Sequence, residues 1–230
     1  MLQISAYTDN ILSNISFSLK KDEDLIILGS NGAGKSTLAK VLCGLTHSNN
    51  ITLGGIETSQ FNTKEKTQLI NYVPPNLEIF DEYITTREYL ELSKLYSTLS
   101  IDEVTKLLNI ETLRDKSCKA LSSGEQQLTL LASALLHNAK LTIFDEPTAN
   151  LDPQKTCKVY ELLKSDLFQN KIVITHDLTL ASKLGYNVLY MQEGKIHFFG
   201  ESETFFEVSN LRSIFNDSVK KIDDVYVVNL

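Results

Sequence analysis

The chain has 230 residues, with 22 Lys+Arg against 29 Asp+Glu and a formal net charge of −7. Hydrophobic residues make up 42% and charged residues 22%, a balance that supports a sizeable core and excludes a disordered chain. A pI near 5.2 and the lack of any Lys/Arg run argue against a nucleic-acid partner.

Short alternating segments open the chain. Leu2-Gln3-Ile4 and Ile15–Leu19 read as half-buried antiparallel strands, and Leu25-Ile26-Ile27-Leu28 as a buried parallel strand. A helix follows, with Leu38, Val41, Leu42 and Leu45 on one face. Thr52–Gly55 reads as a strand entering a turn, and Leu69–Val73 as a strand closed by Pro74-Pro75. The middle is helical: Thr86–Leu95, a capped helix beginning at Ser100 with Glu103, and a long Leu/Ala-rich helix from Ser122 to His137. Strands at 141–144, 172–175 and 188–191 then alternate with helices from Pro153 and from Leu178. Such alternation predicts an α/β domain with a mainly parallel sheet. The segment from about 76 to 140 interrupts it as a helical insert, leaving a core of about 1–75 and 141–230.

Cys43, Cys118 and Cys157 are odd in number and form no C-x-x-C pair, so they read as buried or idle thiols in a reducing compartment. No apolar run approaches the roughly 18 residues of a membrane span, and Met1–Asn14 has no secretory pattern. The expected location is the cytoplasm.

Gly29-Ser30-Asn31-Gly32-Ala33-Gly34-Lys35-Ser36 fits G-x-x-x-x-G-K-[ST] and sits between a buried strand and a helix. Glycines let backbone N–H groups curl around phosphate oxygens, and the helix start adds positive potential. Lys35 can reach the β and γ phosphates, and the Ser36 hydroxyl can ligate Mg²⁺. Leu141–Phe144 is an apolar strand ending in Asp145 and Glu146. Asp145 can hold Mg²⁺ through water, and Glu146 can take a proton from an attacking water. Alone, this pair would read as a solvated acidic turn; the phosphate loop upstream gives it a function. His176 ends the next parallel strand, where such a sheet faces its ligand, and is read as a γ-phosphate contact. Leu121-Ser122-Ser123-Gly124-Glu125 opens the long helix as a capping box, and its small, exposed entry also suits an anion.

Together these motifs resemble the nucleotide-binding subunit of an ABC transporter. Gly29–Thr37 is similar to the family's Walker A motif, Leu121–Glu125 to its signature, and Leu141–Thr148 to Walker B. Ala149-Asn150-Leu151-Asp152 is similar to the D-loop, and His176 to the switch histidine. Tyr7 stands where the family places an aromatic under the adenine. The resemblance implies a P-loop NTPase core with N-terminal antiparallel strands and a helical signature subdomain. It also implies ATP and Mg²⁺ as ligands, and hydrolysis of ATP to ADP and phosphate coupled to transport. A second copy of the chain would sandwich ATP, the phosphate loop of one facing Ser122–Gly124 of the other. Permease subunits in the membrane, on whose cytoplasmic face the chain would sit, and indirectly a substrate-binding protein, are the implied partners.

Three positions depart from the pattern. Pro75 replaces the Q-loop glutamine and has no side-chain donor or acceptor, so Asn76 is the expected substitute. Ser123 replaces the signature's first glycine, at a cost of about 1 kcal/mol if that position needs a positive φ. Leu128 stands where an arginine is common. The segment 176–181, Glu125 and the tail (Leu211–Phe215, then Val225–Val228) resemble importers of iron chelates, haem or cobalamin. Two other classes are weighed. A soluble ABC ATPase of DNA repair or translation would need a coiled-coil insert or a second cassette. A module that closes on ATP without turnover fits Pro75 and Ser123, but not the retained Lys35, Asp145, Glu146 and His176.

Overall fold

A computed structural model of the protein describes residues 2–46, 50–149 and 151–228. The chain divides into two compact units, one formed by 1–60 with 172–230 and the other by 61–171. In chain order the first unit contributes β1 (Leu2–Tyr7), β2 (Ile15–Leu19), β3 (Leu25–Gly29), α1 (Lys35–Leu42), β4 (Ile51–Leu53) and β5 (Ile56–Glu57). The second holds α2 (Thr63–Leu69), β6 (Ile70–Val73), α3 (Thr86–Ser93), α4 (Ile101–Leu108), α5 (Ser123–His137), β7 (Leu141–Asp145) and α6 (Pro153–Lys164). The first then resumes with β8 (Lys171–Thr175), α7 (Leu178–Leu184), β9 (Asn187–Gln192), β10 (Lys195–Gly200), α8 (Ser202–Phe205), α9 (Val208–Phe215), β11 (Val219–Ile222) and β12 (Val225–Val228).

In the first unit, alternation does what period two dictates. Ile15, Phe17 and Leu19 of β2 point inward and their neighbours outward. β1 pairs antiparallel with β2 and with β4, and its register slips between Ile4 and Tyr7, where Ala6 has φ 48°. β3, apolar throughout, is buried along its whole length and pairs in parallel with both β8 and β9. β9 turns back into β10 through Glu193 (φ 50°) and Gly194 (φ 73°), the two left-handed residues of a tight hairpin. The final hairpin, β11 with β12, is tied down by the Tyr226 N–H donating to Thr179 Oγ1 at 2.9 Å.

In the second unit, β6 and β7 pair in parallel, Tyr72 beside Ile143 and Val73 beside Phe144. Phe144 meets Phe168 edge-on at 4.9 Å between ring centroids. Four helices open with capping boxes: Asn62/Glu65, Thr85/Glu88, Ser100/Glu103 and Ser122/Glu125. α5 packs Leu128, Leu130, Leu131, Leu135 and Leu136 into the core. Leu128 is thus a buried core residue, at a place where an arginine would need a partner. The expected helical segment 76–140 lies within this unit, which also carries β6, β7 and α6.

Candidate nucleotide site

The phosphate loop is built by exclusion of side chains. Gly29 leaves β3 with φ 155°, and a β-carbon there would stand 2.3 Å from the Met191 carbonyl oxygen. Gly34 (φ 97°) leaves room for Leu12, whose Cδ2 lies 2.8 Å from the place a β-carbon would take. Gly34 is the N-cap of α1 and makes no side-chain hydrogen bond there, so no side chain covers the helix start, where aligned N–H groups favour an anion. Ala33 N–H closes a turn onto Ser30 O at 3.2 Å. Lys35 is 7% exposed, and its Nζ donates to Gly29 O at 2.7 Å and Ser30 O at 3.1 Å. The ammonium is therefore folded inside the loop, a buried cation at a helix N-terminus. That donor set fits the phosphates of a nucleotide. Ser30, Asn31, Gly32 and Ser36 are exposed, and Thr37 is half-buried.

Three backbone bonds fix the loop's neighbours. Gly194 N–H donates to Ala33 O (3.1 Å), Ser13 N–H donates to Gly194 O (2.8 Å), and Asp9 N–H donates to Leu12 O (2.9 Å). A β-carbon on Gly194 would strike the Ile11 carbonyl oxygen at 1.8 Å. Gly194 thus supports the phosphate site, and its Glu-Gly hairpin turn is the sequence signal that could have pointed to it. Tyr7, expected under the adenine, is itself covered: it is 8% exposed, and its hydroxyl donates to Asp9 Oδ2 at 3.0 Å. Burial first, then this hydrogen bond, push its phenol up from the ordinary range. The hydroxyl thus ties Tyr7 to the carboxylate that holds the Ile11 and Leu12 N–H groups. Ile11, on that loop, is 54% exposed. His176 follows the buried Thr175 and is exposed; Asp177 caps α7, accepting from Thr179 N–H (2.8 Å) and Leu180 N–H (3.0 Å).

In the second unit Asp145 ends β7 and is 2% exposed. Its Oδ2 accepts from the Tyr72 hydroxyl at 2.8 Å, so the buried carboxylate is oriented from β6. Glu146, next along, has φ 52° and is half-buried, and its carbonyl accepts from Ala149 N–H at 3.0 Å. The chain thus leaves β7 through a left-handed residue directly after Asp145. Ser36 and Asp145 offer hard oxygens, the donor type Mg²⁺ takes. Asn76, the expected stand-in for a glutamine, is exposed, and Pro75 is half-buried.

At the signature, Ser122 caps α5 and Ser123 is that helix's first residue, outside the set of positive-φ residues. Serine therefore carries no left-handed strain at 123. Ser122 and Ser123 are exposed and Gly124 is buried. Glu125 closes the capping box onto Ser122 N–H (2.6 Å) and accepts from Lys116 Nζ (2.9 Å). The Lys116 hydrogen bond first, then that from Ser122, pull its carboxyl down to about 2. Lys155 of α6 lies over Gly124 and pairs with Asp152 at 2.7 Å. Asn150 of the expected D-loop lies outside the described residues.

The sequence profile of the ABC transporter family matches residues 12–149. The chain is 33% identical over 219 residues to the zinc import ATP-binding protein ZnuC of Buchnera aphidicola subsp. Schizaphis graminum, spanning 93% of this chain and 87% of that one. It superposes on cbiO1 of Clostridium perfringens, part of the ABC transporter complex cbiONQ, with TM-score 0.74 and 25% identity, covering 94% of each chain. It also shares the fold of MJ0796, a bacterial ABC transporter cassette solved as a dimer, with TM-score 0.75 and 23% identity over 88% of this chain and 99% of that one. With a matching profile over more than half its length and a relative of this identity spanning nearly all of it, the chain belongs to the ABC transporter family.

Proposed function

We propose that this chain is the ATP-hydrolysing subunit of an ABC importer. The observation that carries the reading is the buried Lys35 ammonium held on the carbonyls of Gly29 and Ser30, at an uncapped helix start. There the γ-phosphate would replace the two carbonyls as the partner of Lys35, and the N–H groups of α1 would take its oxygens. Ser36 and Asp145 would hold Mg²⁺, the latter through water. When bound, Mg²⁺ would supply positive charge that neutralises the phosphates. Glu146 accepts the proton of the attacking water, and His176 contacts the γ-phosphate. Tyr7 serves the adenine side through the loop it supports, with exposed Ile11 as the apolar contact.

Two copies would close on two ATP molecules, with Ser122–Gly124 of one facing the phosphate loop of the other. A fold shared with a cassette solved as a dimer supports this. So do the exposed hydroxyls of Ser122 and Ser123 at the N-terminus of a 15-residue helix. No helix among the described residues is long and apolar enough to cross a membrane. In the importer reading, permease partners form the transport path and the chain sits at the membrane's cytoplasmic face. The surface that suits a permease segment is a groove of about 490 Å³ lined by Asp81, Tyr83, Ile84, Glu88, Glu91 and Leu92. Phe80 beside it is 94% exposed and Tyr83 is 86% exposed. Acidic and apolar at once, it fits a short segment carrying lysine or arginine among aliphatic residues.

The cargo reading is a metal ion or metal chelate, supported by the zinc importer among the relatives. The narrower reading of iron chelate, haem or cobalamin rests on the resemblance of the segment 176–181, Glu125 and the tail, and a substrate-binding protein follows from the importer class. Co-purification from membranes with a multi-span permease, followed by ATPase assay of the complex, tests the reading. Lys35→Ala should lose nucleotide affinity. A wild-type chain that binds no ATP, or co-purifies with no membrane protein, would overturn the reading.

A further inference from the structure

The residue that normally links the β6 exit to the metal site is missing here, since Pro75 carries no polar side-chain atom. A different link from the same strand is present. The Tyr72 hydroxyl, three residues upstream, donates to Asp145 Oδ2 at 2.8 Å. We propose that Tyr72 is a positioning residue for the carboxylate that holds Mg²⁺, and that it couples the β6 exit to that site. The proposal rests on the Mg-ATP reading above.

Three observations carry it. Asp145 is 2% exposed, so its carboxylate depends on protein donors for orientation. The partner comes from the neighbouring strand of a parallel pair: Tyr72 is beside Ile143, two residues before Asp145, so ladder hydrogen bonds fix the base of the phenol. The hydroxyl engages one carboxylate oxygen and so sets the rotation of the group, which decides where the other oxygen meets a metal-bound water. Asn76 lies outside, exposed, beyond the two prolines. The Tyr72 hydroxyl is thus the side-chain link by which movement of the 74–76 segment along β6 reaches the Asp145 carboxylate, beside the ladder pairing of β6 with β7.

Outer hydrogen-bond partners of metal-holding groups typically change metal affinity by about 10–100-fold. Because Asp145 is read as acting through water, the lower end, about 10-fold, is expected for Tyr72→Phe. The test uses the full chain carrying Glu146→Gln to prevent turnover, with Mn²⁺ titrated by electron paramagnetic resonance in the presence of ATP. Tyr72→Phe should weaken Mn²⁺ about 10-fold, while ATP affinity in EDTA stays within about twofold. In an Asp145→Asn background the same change should have no further effect. Equal Mn²⁺ affinity with and without the hydroxyl would overturn the proposal, including where Tyr72→Phe lowers only the melting temperature. A Glu146→Gln chain that binds no Mn²⁺ with ATP would overturn the nucleotide reading and the proposal with it.

Discussion

Lys155 covers Gly124: a β-carbon on that glycine would stand 3.0 Å from both Cδ and Nζ of the lysine, whose ammonium is 2.7 Å from Asp152 Oδ2. The signature helix α5 and the start of α6 are thus joined through one side chain. Gly124 has helical geometry, so alanine would gain up to about 1 kcal/mol of helix propensity were the space open. With Lys155 in place that gain is spent moving the lysine. Gly124→Ala should therefore leave urea stability within about 0.5 kcal/mol of wild type, whereas in a Lys155→Ala background it should stabilise by about 0.5–1 kcal/mol. Additive effects across this double-mutant cycle would show that the lysine does not press on the glycine.

Glu146 combines two constraints that a pair of substitutions separates. Its carboxylate is the proposed base, and its backbone sits at φ 52°, where a residue with a β-carbon is strained. Glu146→Gln keeps the strain and removes the base, so ATP binding should persist, turnover should fall by about 10²-fold or more, and an ATP-bound dimer should accumulate. Glu146→Gly removes both, so it should be equally inactive yet more stable by up to about 1 kcal/mol. Size-exclusion chromatography with ATP and urea melts read the two effects. Turnover within a factor of two of wild type in either variant would remove Glu146 as the base.

The Lys116–Glu125 pair gives a pH signature. Glu125 is held at about 2 against an ordinary 4.5, chiefly by Lys116 and then by Ser122. A carboxyl depressed on folding stabilises fully above its unfolded value, and that contribution is lost as pH falls from about 4.5 towards about 2. Because the pair is partly exposed, about 1–2 kcal/mol is the expected size. Glu125→Gln should be less stable than wild type by that amount at pH 6, with the gap closing through this window. A gap that does not change with pH would mean that the ion pair contributes nothing.

How far the sequence could be read follows the physics of each element. β2 and β3 were legible because alternation and an unbroken apolar run encode half-buried and fully buried strands. The helices opening at Ile101 and Ser123 were legible from their Ser-x-x-Glu caps. α2 was not, because it buries no residue and so lacks an apolar stripe; only its Asn62/Glu65 capping box marks it. β10 was missed for a related reason, as its pattern alternates between exposed and half-buried. The phosphate loop could be read as a motif because its glycines are required locally. Tyr72 and Lys155 could not, because their roles come from neighbours 73 and 31 residues away in the chain, which only the fold brings close.

Tyr7 decides between two ways of serving the adenine. The sequence places an aromatic there for stacking, but the ring is 8% exposed and its hydroxyl joins Ile11 N–H and Leu12 N–H on the Asp9 carboxylate. Those two backbone bonds, each 2.7 Å, hold the turn that presses Leu12 and Ile11 towards Gly34. In the reading proposed above, Tyr7 supports the loop. Tyr7→Phe should then cost about 0.5–1.5 kcal/mol of stability, the worth of one hydrogen bond, with ATP affinity little changed. Tyr7→Leu keeps an apolar filler without an aromatic face, so it should hold the ATP dissociation constant within about threefold at a further modest loss of stability. Direct stacking predicts otherwise, since base–aromatic contacts are worth roughly 1–3 kcal/mol and their loss should weaken binding about 5- to 150-fold in Tyr7→Leu. Isothermal titration with ATP beside urea melts of both variants separates the two, because loop packing moves stability first and stacking moves affinity alone.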